Sequence, residues 1–202
     1  MYKGPKIFLS VLRKIDLKTF KRITFQRLEP SHFALLLSWL NEPHVKRRWD
    51  QDIAWTYELI KEKYTDYTAG YKHAVVNGVS VKKPIDAFMI VYDGVAIGYI
   101  QMYNIVDFPL ETECDLSELP QKCAAFDWYI GNSDYVRKGI GAKVLEHFLK
   151  KKVFKTFDAC LVTAESDNIP ALRVYEKVGF RVFKIVGNAT LMIKDKPLKE
   201  AL

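Results

Sequence analysis

The sequence predicts an α/β (α+β) domain with a single mixed central sheet flanked by helices, on three observations. AFMIVY (Ala87–Tyr92) and VAIGYIQMYNI (Val95–Ile105) flank the pair Asp93-Gly94, the composition of a tight hairpin turn. Downstream, apolar residues recur at helical spacing from Gly139 to Phe154, the short apolar run ACLVT follows, and a second helical stretch runs between Pro170 and Gly179. That alternation of strand and helix builds a sheet covered by helices. The chain has 202 residues, 49% of them hydrophobic, which suits one domain with a real core.

In order, ITFQRL (Ile23–Leu28) alternates as a strand does and stops at Glu29-Pro30. Ser31 is placed to cap the helix HFALLLSWL, which Asn41-Glu42-Pro43 breaks. A second helix is predicted from Trp55 to about Ala69, with Tyr57, Ile60, Tyr64 and Tyr67 on one stripe. Residues 71–85 show no decisive pattern. The hairpin follows, then AAFDWYI as the next strand. Val144, Leu145, Phe148, Leu149 and Val153 form one face of the helix that starts at Gly139. Pro170 early and Gly179 late bound the last helix, and FKIVG with TLMI predicts a closing strand pair.

Composition narrows the function. No apolar run reaches the roughly 20 residues of a membrane helix, and the charged N-terminal segment does not read as a signal peptide. Cys114, Cys123 and Cys160 are an odd set without a CxxC pair, and the four histidines are dispersed. Neither a disulfide framework nor a metal site is expected, so the expectation is a cytoplasmic, metal-free protein, monomer or homodimer. The net charge is +7, yet residues 1–22 hold seven Lys/Arg against one Asp, so six of those charges lie there. The basicity therefore belongs to an N-terminal extension, 1–22, ahead of a domain at 23–202, and nucleic acid is not the expected partner. Between Pro84 and Gln121 the imbalance reverses. Seven carboxylates, Glu111, Glu113 and Asp115 among them, occur there without one Lys or Arg. Such a segment raises the local concentration of a cationic small molecule.

VRKGIGAKVL (136–145) sets Gly139 and Gly141 between a strand and a helix, beside Arg137 and Lys138. The first amides of a helix lack intrahelical partners, and glycine lets the backbone approach a phosphate closely. The stretch lacks the full P-loop and the third glycine of the dinucleotide fingerprint, so a different phosphate ligand is required. Downstream lies SDNIPALRVYEKVGF (166–180).

Together these two stretches resemble the acetyl-CoA segments of the GNAT N-acetyltransferase superfamily. The resemblance implies the GNAT fold and acetyl-CoA as co-substrate. It assigns the pyrophosphate to the turn Arg137, Lys138, Gly139, Ile140, Gly141 and Ala142, the pantetheine arm to Asn168 and Ala171, and the sulfur to Tyr175. The family's Gln/Arg three residues before the first glycine is Val136 here. WLNEPHVKRRW (39–49), IGYIQMY (97–103) and AFDWYIG (125–131) are similar to segments of the aminoglycoside 6′-N-acetyltransferases, a resemblance that covers roughly residues 23–193 and implies antibiotic resistance as a role. Where some of those enzymes carry an Asp, this chain has Thr163.

Acetyl transfer to an amine requires a held thioester, a polarised carbonyl, a base for the ammonium and a proton for the thiolate. An alkylammonium of pKa ~10 is almost wholly protonated at neutral pH, so a carboxylate near it is needed as base. Asp127, on an otherwise apolar strand, is the candidate, and it matches the Asp beside the 6′-amine in the resembled enzymes. Tyr175 is the candidate acid, and the amides of Trp128, Tyr129 and Ile130 are candidates to polarise the carbonyl. Gln101 and Tyr103 alternate and so share a face; with Trp49, Glu111, Glu113 and Asp115 they complete the expected acceptor contacts. No cysteine or serine sits in a nucleophile setting, so direct transfer is expected.

Overall fold

The computed structural model describes residues 22–108 and 114–198. β1 (Ile23–Arg27) leads into α1 (Phe33–Leu40), α2 (Pro43–Lys46) and α3 (Tyr57–Thr68). β2 (Tyr71–Val76) and β3 (Val79–Pro84) pair only with each other. They are followed by β4 (Asp86–Tyr92), β5 (Val95–Asn104) and β6 (Cys123–Ile130). α4 (Ile140–Phe148) widens into a π turn at Leu149–Val153 and ends in α5 (Phe154–Thr156). β7 (Ala159–Glu165), α6 (Ile169–Lys177), β8 (Arg181–Val186) and β9 (Ala189–Asp195) complete the chain order.

The main sheet has seven strands in the order β1-β4-β5-β6-β7-β9-β8. Every pairing is antiparallel except β6 with β7. That parallel pair is short: Cys123, Ala124 and Ala125 meet Ala159, Cys160 and Leu161, and beyond them the two strands have no register partners in each other. The sheet thus opens at its centre, with β6 still paired to β5 on its far edge through Ile130.

Helices cover both faces. On one, α4 and α6 bury Val144, Leu145, Phe148 and Tyr175 against the sheet. Phe148 is wholly buried, with Phe25, Phe126 and Phe88 at ring distances of 5.1, 5.9 and 6.2 Å. Truncating so central a ring to alanine costs about 3–5 kcal/mol. On the other face, α1 contributes Phe33, Leu36 and Leu40, and α3 contributes Ile60, Tyr64 and Tyr67.

Two expectations are corrected, and a stretch without a decisive pattern is resolved. Ser31 lies inside a 3-10 turn, Pro30–His32, and the preceding turn is closed instead by the Glu29 amide donating to His32 Nδ1 at 3.0 Å. Tyr57, expected on the buried stripe of α3, is 44% exposed, because the helix begins at Tyr57 itself, capped by Thr56 accepting from the Leu59 amide. Residues 71–85 form the β2–β3 hairpin, turned at Asn77-Gly78 with both residues at positive φ. That dipeptide is a strong hairpin signal, although Lys and His interrupt the apolar pattern on either side of it. Residues 1–21 lie outside the described residues.

Candidate active site

β6 carries the site because its side chains alternate between the two helical layers. Phe126, Trp128 and Ile130 face α4 and α6, while Tyr129 and Asp127 face α3. Asp127 is therefore the one carboxylate of a strand whose other side chains are apolar or aromatic. Its partners come from β5, the neighbouring strand, where Gln101 is its register partner. Gln101 Nε2 donates to Asp127 Oδ2 at 2.8 Å, and the Tyr103 hydroxyl donates to the same oxygen at 3.2 Å. Tyr99 in turn donates its hydroxyl to Gln101 Oε1 at 2.8 Å, which fixes the amide's orientation. Sequence alternation had put Gln101 and Tyr103 on one face, and the structure brings both to Asp127.

Burial pushes the Asp127 carboxyl above the usual aspartate range; the two hydrogen bonds, and the more distant Lys72 and Lys63, oppose that shift without cancelling it. A carboxylate that keeps its proton more tightly is a stronger base once ionised. Burial, with the Asp127 charge beside it, also raises Tyr103 well above an ordinary tyrosine, so it remains a donor.

Asp127 and Gln101 form the floor of a cleft of about 520 Å³. Trp49 makes one wall, edge-on to Tyr129 at 4.9 Å and to Tyr99 at 6.2 Å. The rest of the lining is mostly charged, with Arg48, Lys63 and Lys72 beside Asp50, Glu62 and Asp66, together with Tyr67 and His73. Lys63 and Asp50 pair at 2.7 Å.

The carboxylates of this cleft are not those of the acidic segment. Among that segment's described members, Asp86 pairs with Arg27, Asp107 with Lys83 and Glu118 with Lys184. Asp115 Oδ1 accepts the Ser117 amide at 2.9 Å and does not line the cleft. Glu111 and Glu113 lie outside the described residues. Glu62 and Asp66, four apart on α3, were missed, although their spacing puts them on one helix face.

On the opposite face of β6, the Trp128 indole donates Nε1–H to the Tyr175 hydroxyl at 3.2 Å. Burial raises the Tyr175 phenol to about 12. The hydroxyl accepts from the indole and so still has its own proton to give. Asn168 is the N-cap of α6, its side chain accepting from the Ala171 amide at 3.4 Å.

The two glycines of the turn do different work. Gly139 is the N-cap of α4 at φ 71°, preceded by Arg137 at φ 60°, and open space lies where its side chain would be. Gly141 is held to glycine by packing, since an added Cβ would stand 3.0 Å from the Trp128 ring. Ile140 and Ala142 are buried and offer only backbone amides outward, whereas Arg137 and Lys138 are exposed beside them.

A sheet parted between its two parallel strands, with a glycine-capped helix opening at the parting, is the frame of a GNAT acetyltransferase. Residues 29–187 match the family model of the acetyltransferase (GNAT) domain, and the chain belongs to that family. It is similar to the aminoglycoside N(6′)-acetyltransferases type 1 of Klebsiella pneumoniae and Serratia marcescens, each 24% identical over 164 residues, which span 78% of this chain and 73% of the relative. Among solved structures, aminoglycoside acetyltransferase AAC(6′)-Ib in complex with coenzyme A superimposes with a TM-score of 0.69 at 21% identity, over 87% of this chain and 95% of that one. An uncharacterized protein of Bacillus halodurans gives 0.71 at 17% identity, over 88% and 86%. These likenesses establish the fold. Among the described residues no group of three or more His, Cys, Asp or Glu is placed to hold a metal, and no helix is long and apolar enough to cross a membrane.

Proposed function

We propose that the protein transfers acetyl from acetyl-CoA to a primary amine of a small cationic molecule, with the 6′-amine of an aminoglycoside as the first acceptor to consider. The observation that carries this reading is the Asp127 carboxylate, raised by burial and held by Gln101 and Tyr103 at the floor of a cleft. The similarity to aminoglycoside acetyltransferases supports the acceptor class.

The residues present fit the acyl donor. The open space at Gly139, the first amides of α4 and the cations Arg137 and Lys138 suit a pyrophosphate. The edge of β6 from Phe126 to Ile130, unpaired toward β7, suits an amide-bearing pantetheine arm, and alternate amides along it can donate to a thioester oxygen. Bound there, acetyl-CoA would supply the activated acyl group. Asp127 takes the proton from the ammonium, directly or through one water, leaving a neutral amine to attack. Tyr175, still protonated at neutral pH, gives its proton to the departing sulfur. The open β6 edge and Tyr175 form the donor side, Asp127 and Trp49 the acceptor side. Acetyl-CoA chemistry fits the cytoplasm, and acetylation of an aminoglycoside would confer antibiotic resistance.

A second reading, an amine on a peptide or amino-acid-like molecule, is favoured by Lys63 and Lys72. Both act electrostatically on Asp127 and set cations among the carboxylates of the cleft, which suits an acceptor carrying charge of both signs. Release of free thiol from acetyl-CoA is the test, with kanamycin-type aminoglycosides, analogues lacking the 6′-amine, polyamines, hydroxylamines and short peptides as acceptors. Turnover that disappears with the 6′-amine supports the first reading, and turnover confined to peptides replaces it with the second.

A further inference from the structure

The segment between α2 and α3 crosses the open ends of the two parted strands. At one end His44, in α2, donates Nε2–H to the carbonyl of Ile130, the last residue of β6, at 2.9 Å. At the other, Arg48 is hydrogen-bonded through its guanidinium to Glu165, the last residue of β7, and to Asp167 Oδ1 at 2.7 Å. Gln51 Nε2 adds a bond to Glu165 Oε1 at 3.2 Å. Between these anchors, Trp49 packs on Tyr129 and Asp50 pairs with Lys63 of α3. Asp50 itself is at φ 44°, a conformation uncommon for a residue with a side chain, so this turn is held rather than relaxed.

β6 and β7 share only three register pairs and are not paired with each other at these ends. Contacts from one segment to both strand ends therefore bridge the slot. Glu165 and Asp167 flank the entrance to α6, where Asn168 caps the helix. We propose that Arg48 is a positioning residue: with His44 it buckles residues 44–51 across the ends of β6 and β7, fixing the slot for the acyl donor and, through Trp49, the acceptor wall in one movement. This deepens the reading of function above and rests on it. Arginine suits the task because one terminal nitrogen of its guanidinium donates to both carboxylates while the rigid planar group keeps that nitrogen's two N–H directions fixed, which a rotating lysine ammonium does not.

The test is calorimetric titration of acetyl-CoA into the full chain, as wild type, Arg48→Ala, the Glu165→Gln/Asp167→Asn double variant and the triple combination, with thermal midpoints alongside. Arg48 is exposed enough for its removal to leave the fold intact, and the carboxylate variants probe the same contact from the other side. The expected result is roughly three- to tenfold weaker acetyl-CoA binding in each, no further loss in the triple variant, and midpoints within about 3 °C of wild type. In the transfer assay, KM rises for donor and acceptor together, while Arg48→Lys recovers only part of the loss. Unchanged acetyl-CoA affinity in Arg48→Ala overturns the proposal, and so does full additivity in the triple variant. Failure of the wild type to bind acetyl-CoA overturns the functional reading itself, and the buckle with it.

Discussion

Gln101 and Asp127 stand directly opposite each other in the β5–β6 ladder, and the Gln101 amide reaches across to the Asp127 carboxylate at 2.8 Å. The pair couples sheet register to chemistry: a slip of one residue would turn both side chains into the opposite helical layer. It also holds a buried carboxylate, at the expense of stability.

Asp127→Asn should therefore separate activity from stability. Removing the base lowers kcat by roughly 10²- to 10⁴-fold, while acetyl-CoA binding stays near wild type. The folded chain holds the Asp127 proton more tightly than the unfolded chain does. Its contribution to stability is present below the ordinary aspartate pKa and is lost as pH rises through the raised folded value. At pH 7 Asp127 thus weakens the fold, and the Asn variant should melt about 2–4 °C higher. That gain should vanish in acid. Thermal melts of both proteins from pH 3 to pH 8 check this; a lower midpoint for the variant at pH 7 contradicts it.

Tyr103→Phe tests the hydrogen bond at 3.2 Å. This bond favours the ionised carboxylate, so its loss moves the Asp127 pKa further up. The base must be ionised to act, hence the acidic limb of the kcat/KM profile shifts to higher pH. Activity should fall more on the acidic limb than on the plateau above it, and an equal loss on both would assign Tyr103 to acceptor binding instead.

Much of this arrangement was legible in the sequence because it rests on local rules. Alternation put Gln101 and Tyr103 on one face, an Asp in an apolar strand marked Asp127, and strand-to-helix glycines marked the turn at 139–141. Pairing over long distances was not legible. Which carboxylates line the cleft depends on α3 folding beside β5 and β6, so Glu62 and Asp66 went unnoticed while the acidic segment drew attention by charge alone. The Arg48 contacts join residues more than a hundred positions apart, and no periodicity reports such a link. Asn168, which the resemblance assigns to the pantetheine arm, has its side chain engaged in capping α6.

Gly141→Ala probes the face of β6 turned away from the cleft. The added methyl would meet the Trp128 ring at 3.0 Å, and Val174 closes the other side at 3.8 Å. The indole must give by a few tenths of an ångström, which perturbs its bond to Tyr175. We expect acetyl-CoA affinity to fall roughly tenfold, with about 1–3 kcal/mol lost from overpacking. The indole Nε1–H resonance of Trp128 should shift in the same variant. Gly139→Ala differs in origin: nothing crowds it, but φ 71° strains any residue with a Cβ, so a loss of roughly 1 kcal/mol should come without movement of the indole.

Tyr175→Phe addresses the departing thiolate. The hydroxyl accepts from Trp128 and retains a proton that burial holds up to a pKa of about 12. Loss of an acid by deprotonation would begin only as pH approaches that value, so no fall in wild-type rate assignable to Tyr175 should occur below about pH 10. Replacing it with phenylalanine keeps the ring contacts with Phe126 and Phe180 at 6.3 and 5.8 Å but removes the proton. The variant should bind acetyl-CoA within a few-fold of wild type, while kcat drops by roughly 10²-fold or more. The Trp128 Nε1–H loses its acceptor in the same change, at a cost of about 1–3 kcal/mol in stability. A drop in kcat that tracks only the loss of stability, and disappears at lower temperature, would mark Tyr175 as a packing residue and leave the thiolate to be protonated from water.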